Sequence, residues 1–247
     1  MDFLFKSMEP FRFKYFTVRH GRSVMPVNTD SVLLGAWTAY PGEGPSRILD
    51  IGTGCGLLAL MMAQRFLQAT IDALEIDDDS AEEAAANISA SPWADRMNLI
   101  KGDFREYDFP GKYDLIISNP PYFTRSLASP DVRRTRARHS DRESLPHKEL
   151  LSGVASLLTD KGLFSLILPT GSYKDFLILA GLMDNPLFPS RITTVHTKMN
   201  KPAVRVLIEM GKTQATLTED TISLYSGIKE EYSPQYVRLV RDFYLWA

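Results

Sequence analysis

The stretch "SRILDIGTGCGLLALMMAQRF", Ser46 to Phe66, decides how the rest of the chain is read. "SRILDIG" has the apolar density of a buried strand, and "GLLALMMAQRF" that of an apolar helix entered directly through glycines. Between them stand Gly52, Gly54 and Gly56 at a spacing of two. Glycines let the chain turn tightly and bring its backbone close to a ligand, while the helix that follows offers unpaired N–H groups. The spacing is G-x-G-x-G, not the G-x-G-x-x-G of dinucleotide binders, and Asp50 lies two residues before the first glycine. A plain tight turn would use the same glycines, so the neighbouring strand ends carry the decision.

Strand and helix patterns alternate from this point on. "TIDALEID" reads as a second strand, "DDSAEEAAANIS" as a helix capped by Asp79 or Ser80, and "MNLIKGD" and "KYDLIIS" as strands three and four. "PHKELLSGVASLLTDKG" reads as a helix closed by Gly162, "LFSLILP" as a fifth strand and "GSYKDFLILAGLMD" as a further helix. "SRITTVHTK" and "AVRVLIEMGK" then follow as two strands with no helical stretch between them. Alternation ending in a hairpin predicts an α/β fold. The expected sheet has seven strands, mostly parallel, with one antiparallel strand near an edge and helices on both faces.

In such a sheet a ligand lies outside the carboxyl ends of the strands, where the strand order reverses. Glu75 ends the second strand at the offset where an acid can accept from ribose hydroxyls. Asp103 ends the third and could accept from an exocyclic adenine amine, with Phe104 beside the ring. The fourth ends in "SNPPY", Ser118 to Tyr122. Pro120 and Pro121 lack backbone N–H groups and cannot continue a ladder, and they push Asn119 to an extended conformation. The Asn119 side-chain carbonyl and the Pro120 backbone carbonyl would then be two rigid acceptors, suited to a planar NH2 group. Tyr122 offers a face on which a flat base can stack.

Composition sets the setting. The chain has 247 residues, 44% hydrophobic and 23% charged, enough to bury a substantial core. Cys55 is the only cysteine, so no disulfide forms within the chain and a cytosolic location is expected. No apolar run approaches the ~20 residues of a membrane span, and no metal-ligand pattern is read. The net charge is -2, but it is segregated. Residues 125 to 142 hold Arg125, Arg133, Arg134, Arg136, Arg138 and Arg142 against Asp131 and Asp141, whereas Asp72 to Glu83 is acidic throughout. Such segregation gives an acidic protein a basic face that a polyanion can feel. A solvated loop would carry the same arginines.

Taken in order, "DIGTGCG", Glu75, "GDF" and "SNPPY" resemble the class I S-adenosylmethionine-dependent methyltransferases that act on nitrogen, the N-P-P-Y amino-methyltransferases. "FKYFTVRHGRSVMPVNTDSVLLGAW", "NISASPWADRMN" and "ARHS" extend the likeness to the bacterial tRNA adenine-N6-methyltransferases, which modify the adenine 3′ of the anticodon in a valine tRNA. The resemblance implies a Rossmann-like methyltransferase domain over residues 46–212. Residues 1–45 would be an aromatic and basic extension capping the cofactor, and 213–247 an extension of the same domain. It implies that Gly52, Gly54 and Gly56 face the methionine part of S-adenosyl-L-methionine, with Asp50 supporting the loop. Glu75 would hold the ribose, and Asp103 and Phe104 the adenine. "NTDSVLLG" would close over the methionine end, with Thr29 or Asp30 capping its helix. Cys55 occupies a variable loop position and is assigned no chemistry.

The implied chemistry starts from the amine. Its lone pair is delocalised into the ring, so the nitrogen needs help to attack the sulfonium methyl in line from about 3 Å. Hydrogen bonds to Asn119 and Pro120 would stabilise the positive charge that develops on it. The target base must be splayed out of an anticodon stem-loop, which a single-stranded loop makes less costly. Arg12, Lys14, Arg133, Arg134, Arg136, Arg138, Lys198 and Lys201 are the candidate RNA contacts, with the aromatics of "FRFKYF" mostly packed and Arg12 and Lys14 outward. A monomer is expected. Rival readings are a release-factor glutamine methyltransferase, an rRNA guanine-N2-methyltransferase, a DNA adenine methyltransferase and a non-catalytic cofactor- or RNA-binding module.

Overall fold

A computed structural model describes residues 9–120, 145–227 and 231–247. The chain begins with a short hairpin, β1 (Phe11–Arg12) and β2 (Thr17–Val18), and continues through α1 (Thr29–Trp37) into β3 (Arg47–Ile51) and α2 (Leu57–Arg65). Next come β4 (Thr70–Glu75), α3 (Asp78–Ser89), β5 (Met97–Lys101), β6 (Tyr113–Ser118) and α4 (His147–Leu157). The second half holds β7 (Leu158–Pro169), α5 (Tyr173–Gly181), β8 (Phe188–Lys198), β9 (Ala203–Gly211), β10 (Thr218–Tyr225) and α6 (Pro234–Val240).

Eight strands form the central sheet in the order β10-β8-β9-β7-β6-β3-β4-β5. β9 alone runs against the others, paired antiparallel with both β7 and β8. One expectation needs correction here. Among the described residues the sheet has eight strands rather than seven, because β10 adds, in parallel, outside β8; the single antiparallel strand expected near an edge is β9, third from it. In "TEDTISLY" only Ile222 is buried, so this half-exposed edge strand carries almost no apolar alternation for a sequence to display.

The parallel strands are buried on both faces, and each side chain is assigned to a face by its register. Ile48, Leu115 and Ile117 pack with α1, α2 and α6, together with Ile88 of α3. Leu49, Ile116, Phe164 and Leu166 pack with α4 and α5 on the opposite face. The order reverses between β3 and β6: β4 and β5 continue from β3 in one direction, and β7 lies beyond β6 in the other. A ligand crevice is therefore expected at the carboxyl ends of β3 and β6.

Three boundaries differ from the sequence reading. Asn28, not Thr29 or Asp30, caps α1: it is extended at φ -140° and ψ 163°, and its side chain accepts from Ser31 N at 2.9 Å. Asp77, not Asp79 or Ser80, caps α3 by accepting from Ser80 N at 2.8 Å. In each case the cap lies three residues before the N–H it satisfies, and several competent residues stand in a row. Gly162 does not close α4. The helix ends at Leu157, and Gly162 lies within β7, where the β6–β7 ladder shifts register. A Cβ there would come within 3.0 Å of the Tyr113 carbonyl oxygen, so the glycine serves close approach rather than a helix cap.

Candidate active site

The glycine loop after β3 is held by its neighbours. Gly52 N and Thr53 N both donate to Leu74 O at 2.9 Å, and Gly54 N donates to Glu75 Oε2 at 2.7 Å. Gly52, Gly54 and Gly56 have φ of 70°, 57° and 85°, a region that costs other residues about 1–2 kcal/mol. A Cβ at Gly52 would meet nothing within 4 Å, so the loop backbone faces open space at the crevice.

Asp50 sits fully buried beneath this loop. Its Oδ2 accepts from Thr53 Oγ1 at 2.5 Å and from Ala59 N at 3.0 Å, which ties β3 to the first turn of α2. Its Oδ1 is buried without a hydrogen-bond partner among the described residues. Burial, with a smaller contribution from the nearby charge of Glu75, pushes its pKa up to about 7 against the two hydrogen bonds. Cys55 is buried in the same loop, and burial pushes its thiol up to about 12. It is therefore protonated and inert at neutral pH.

Asn119 ends β6 beside the loop and is 5% exposed. Its Nδ2 donates to Ser31 Oγ at 2.9 Å and faces Met25 Sδ at 3.6 Å. A thioether cannot donate, so the amide nitrogen belongs on this side and the carbonyl oxygen on the other. Pro120 follows, also buried. Met25, Pro26, Ser31, the loop from Gly52 to Cys55, Leu57, Leu58 and Asn119 line one cleft of about 310 Å3 including its open mouth.

Other candidate residues are placed differently. Glu75 is buried, and three backbone N–H groups, of Gly54, Ile76 and Asp77, donate to its carboxylate. Burial raises its pKa and these bonds oppose the rise. The carboxylate thus braces the loop in addition to any ribose it holds. Asp103 is engaged by the Arg105 guanidinium, whose hydrogen bond holds its carboxyl below the usual range. Phe104 is buried against α4, where a Cβ on Gly153 would overlap its ring. Neither Asp103 nor Phe104 belongs to the cleft lining. Thr29 is exposed at the start of α1, and Ser31 and Met25 take the wall positions instead.

The candidate RNA contacts divide by position. Lys198 and Lys201 are exposed at the β8–β9 turn, at the same edge of the sheet as Asn119 and about 14 Å along it by strand spacing. Arg205 Nε pairs with Asp30 Oδ2 at 2.7 Å and ties the base of that hairpin to α1. Arg12 is exposed in the N-terminal hairpin, whereas Lys14 Nζ is taken up by the carbonyls of Arg241 and Ala247. That hairpin packs Phe13 on Tyr244 and Phe16 on Trp93, beyond the C-terminal end of α3 and so away from the cleft. Lys14, itself exposed, thereby ties the N-terminal hairpin to the C-terminal segment. Tyr122, Arg133, Arg134, Arg136 and Arg138 lie outside the described residues.

A crevice at the switch point of a mostly parallel sheet, floored by a glycine loop and closed by a strand-end Asn-Pro, defines the class I methyltransferase type of site. The Methyltransferase small domain family matches residues 33–143. A predicted O-methyltransferase from Agrobacterium tumefaciens has the same fold, with a TM-score of 0.67 at 19% identity over 87% of this chain and 96% of its own. A relative from Bacteroides fragilis named tRNA1(Val) (adenine(37)-N6)-methyltransferase is 46% identical over 95% of this chain and 97% of its own. One of the same name from Bacteroides thetaiotaomicron is 44% identical over 95% and 97%. The chain belongs to the tRNA1(Val) (adenine(37)-N6)-methyltransferase family.

The cofactor of this enzyme is S-adenosyl-L-methionine, and the cleft fits it in kind. Gly52 leaves its backbone open to a ligand, and Asn119 and Ser31 bring polar groups to an otherwise largely apolar wall. The fit rests on these residues. Asp50 and Glu75 act behind them by fixing the loop.

Proposed function

We propose that the chain methylates the exocyclic N6 of an adenine in tRNA, with the adenine 3′ of the anticodon of a valine tRNA as its target. The observation that supports this most directly is the junction of Asn119 with the glycine loop, which brings the candidate amine acceptor beside the cofactor cleft. Bound S-adenosyl-L-methionine supplies an electrophilic methyl group. The protein's share is positioning and electrostatics: Ser31 orients the Asn119 amide, and the amide oxygen and Pro120 carbonyl accept from the target amine as it becomes positive. Tyr122 would stack on the base. No strong base is required, because methylation acidifies the N–H and water can take the proton.

Residues 46–212 act as the catalytic domain, 1–45 as its extension and cap, and 213–247 as a continuation that completes the sheet edge. The relatives' shared name supports tRNA over release factor, rRNA or DNA. No described helix is long and apolar enough to cross a membrane, and a cytoplasmic, monomeric enzyme accords with its substrate. Incubation with labelled S-adenosyl-L-methionine and separate pools of unmodified tRNA, rRNA, DNA and release factor tests the reading. N6-methyladenosine in a valine tRNA is expected; methylglutamine would replace the proposal with its rival.

The RNA grip is assigned to Lys198 and Lys201 at the turn beside the cleft, Arg12 beyond it, and the Arg133, Arg134, Arg136 and Arg138 run. Replacing Arg133, Arg134 and Arg136 together with Ala should weaken tRNA binding. It should also flatten the slope of log K against log salt by about 2, as expected for three lost phosphate contacts at ~0.7 each. Titrations at several salt concentrations measure both, and an unchanged slope removes that run from the footprint.

A further inference from the structure

The inward face of α3 carries Ser80, Glu83 and Asn87, three polar residues at helical spacing and all buried. A polar stripe on a buried face needs partners, and these come from far along the chain. Glu83 Oε1 accepts from Gly21 N at 2.9 Å, Oε2 from Ser23 N at 2.8 Å, and Arg22 N lies 3.2 Å from each oxygen. Asn87 accepts from Arg19 N at 2.9 Å and donates to the carbonyls of Arg19 and Cys55 at 2.8 Å. Ser80 Oγ accepts from Val24 N at 3.1 Å.

The segment held in this way forms the roof of the cleft. A Cβ on Gly54 would lie 3.4 Å from Ser23 Oγ and 3.7 Å from Met25 O, so residues 23–25 pass directly over the glycine loop. Met25 and Pro26 then line the cleft, and Met25 Sδ contacts Asn119. Arg22 also pairs with Asp79 and Glu82, but these are surface pairs at a half-exposed side chain and contribute little. The buried carboxylate, with charge-assisted bonds to three successive N–H groups, is the stronger tie.

We propose that Glu83 is a positioning residue for cofactor binding: it fixes residues 21–23, and through them the Met25–Pro26 wall above the glycine loop. This rests on the cleft being the cofactor site, but not on which substrate is methylated. Glu83→Ala leaves three N–H groups without their acceptor, and the freed segment exchanges its fixed wall for water. The dissociation constant for S-adenosyl-L-methionine should rise at least about tenfold, the loss of one such bond. Glu83→Gln keeps the length and one carbonyl oxygen, and should recover most of the affinity.

Calorimetric titration of the full-length protein and both variants with S-adenosyl-L-methionine, without RNA, reads the affinity; thermal melts read folding. A folded Glu83→Ala variant with wild-type affinity overturns the proposal, whether or not its melting temperature falls. If Glu83→Ala fails to fold, Glu83→Asp takes its place, since it keeps the charge but is too short to reach the same three N–H groups, and an unshifted Kd in that variant overturns the proposal equally. Failure of the wild-type protein to bind S-adenosyl-L-methionine would instead overturn the assignment of the cleft, which keeps the two readings distinct.

Discussion

Asn119→Ala is expected to lower the single-turnover rate of methyl transfer by about 10²–10³-fold, the usual consequence of removing one preorganised polar group aimed at a developing charge. Cofactor affinity should change by less than about tenfold, because Asn119 is one of ten residues lining the cleft. The argument turns on preorganisation. Asn119 is buried at the end of β6, its backbone direction set by Pro120, and its amide nitrogen is engaged by Ser31. Ser31→Ala should show a smaller loss of about 5–10-fold, that of one neutral hydrogen bond, since the amide remains but can rotate. Rapid-quench measurement at saturating cofactor and tRNA checks both variants. Near-normal turnover in Asn119→Ala would remove the acceptor pair from the mechanism.

What the sequence displayed and what it concealed separate along a physical line. The Gly52–Gly56 loop, the ends of β4 and β6 and the identity of the central strands were legible, because they rest on local chemistry: φ near +60° needs glycine, and Pro-Pro stops a ladder. Ser31 was not legible. Its hydroxyl finds Asn119 across 88 positions, and nothing in "NTDSVLLG" separates it from an ordinary first-turn serine. Glu83 likewise looked like one more acid in "DDDSAEE", yet its partners stand about 60 residues earlier. Phe104 followed the right strand, but a strand end does not say which way the next ring turns, and here it turns into the core under α4. Lys14 was read as outward from alternation; that side chain does leave the core, only to reach the C-terminal carbonyls. Long-range partners, not element types, are what single-sequence patterns fail to specify. The same limit produced the missing eighth strand, since β10 is defined by its pairing with β8 rather than by its own residues.

Asp50 should make the free protein less stable as pH rises, and Asp50→Asn should abolish that part of the dependence. Burial raises the folded-state pKa to about 7, whereas an unfolded Asp titrates near the ordinary ~3.9. Below the unfolded value both states are protonated and the residue is neutral towards folding. Between the two values the unfolded chain releases its proton and the folded one keeps it, so stability falls with rising pH by about 1.4 kcal/mol per unit. Above about pH 7 both states are ionised and the whole cost remains, with an upper limit of about 4 kcal/mol. Asn cannot ionise, and its carbonyl oxygen can still accept from Thr53 and Ala59, so the variant should gain on the wild type progressively from pH 4 to pH 7. Denaturant titrations of both proteins at pH 5, 6, 7 and 8 without cofactor isolate the effect as a difference, in which the other titrating groups cancel. A difference that does not change with pH would mean that Asp50 titrates as an ordinary carboxylate, and the account of Asp50 as an acid whose ionisation is opposed by burial would have to be abandoned.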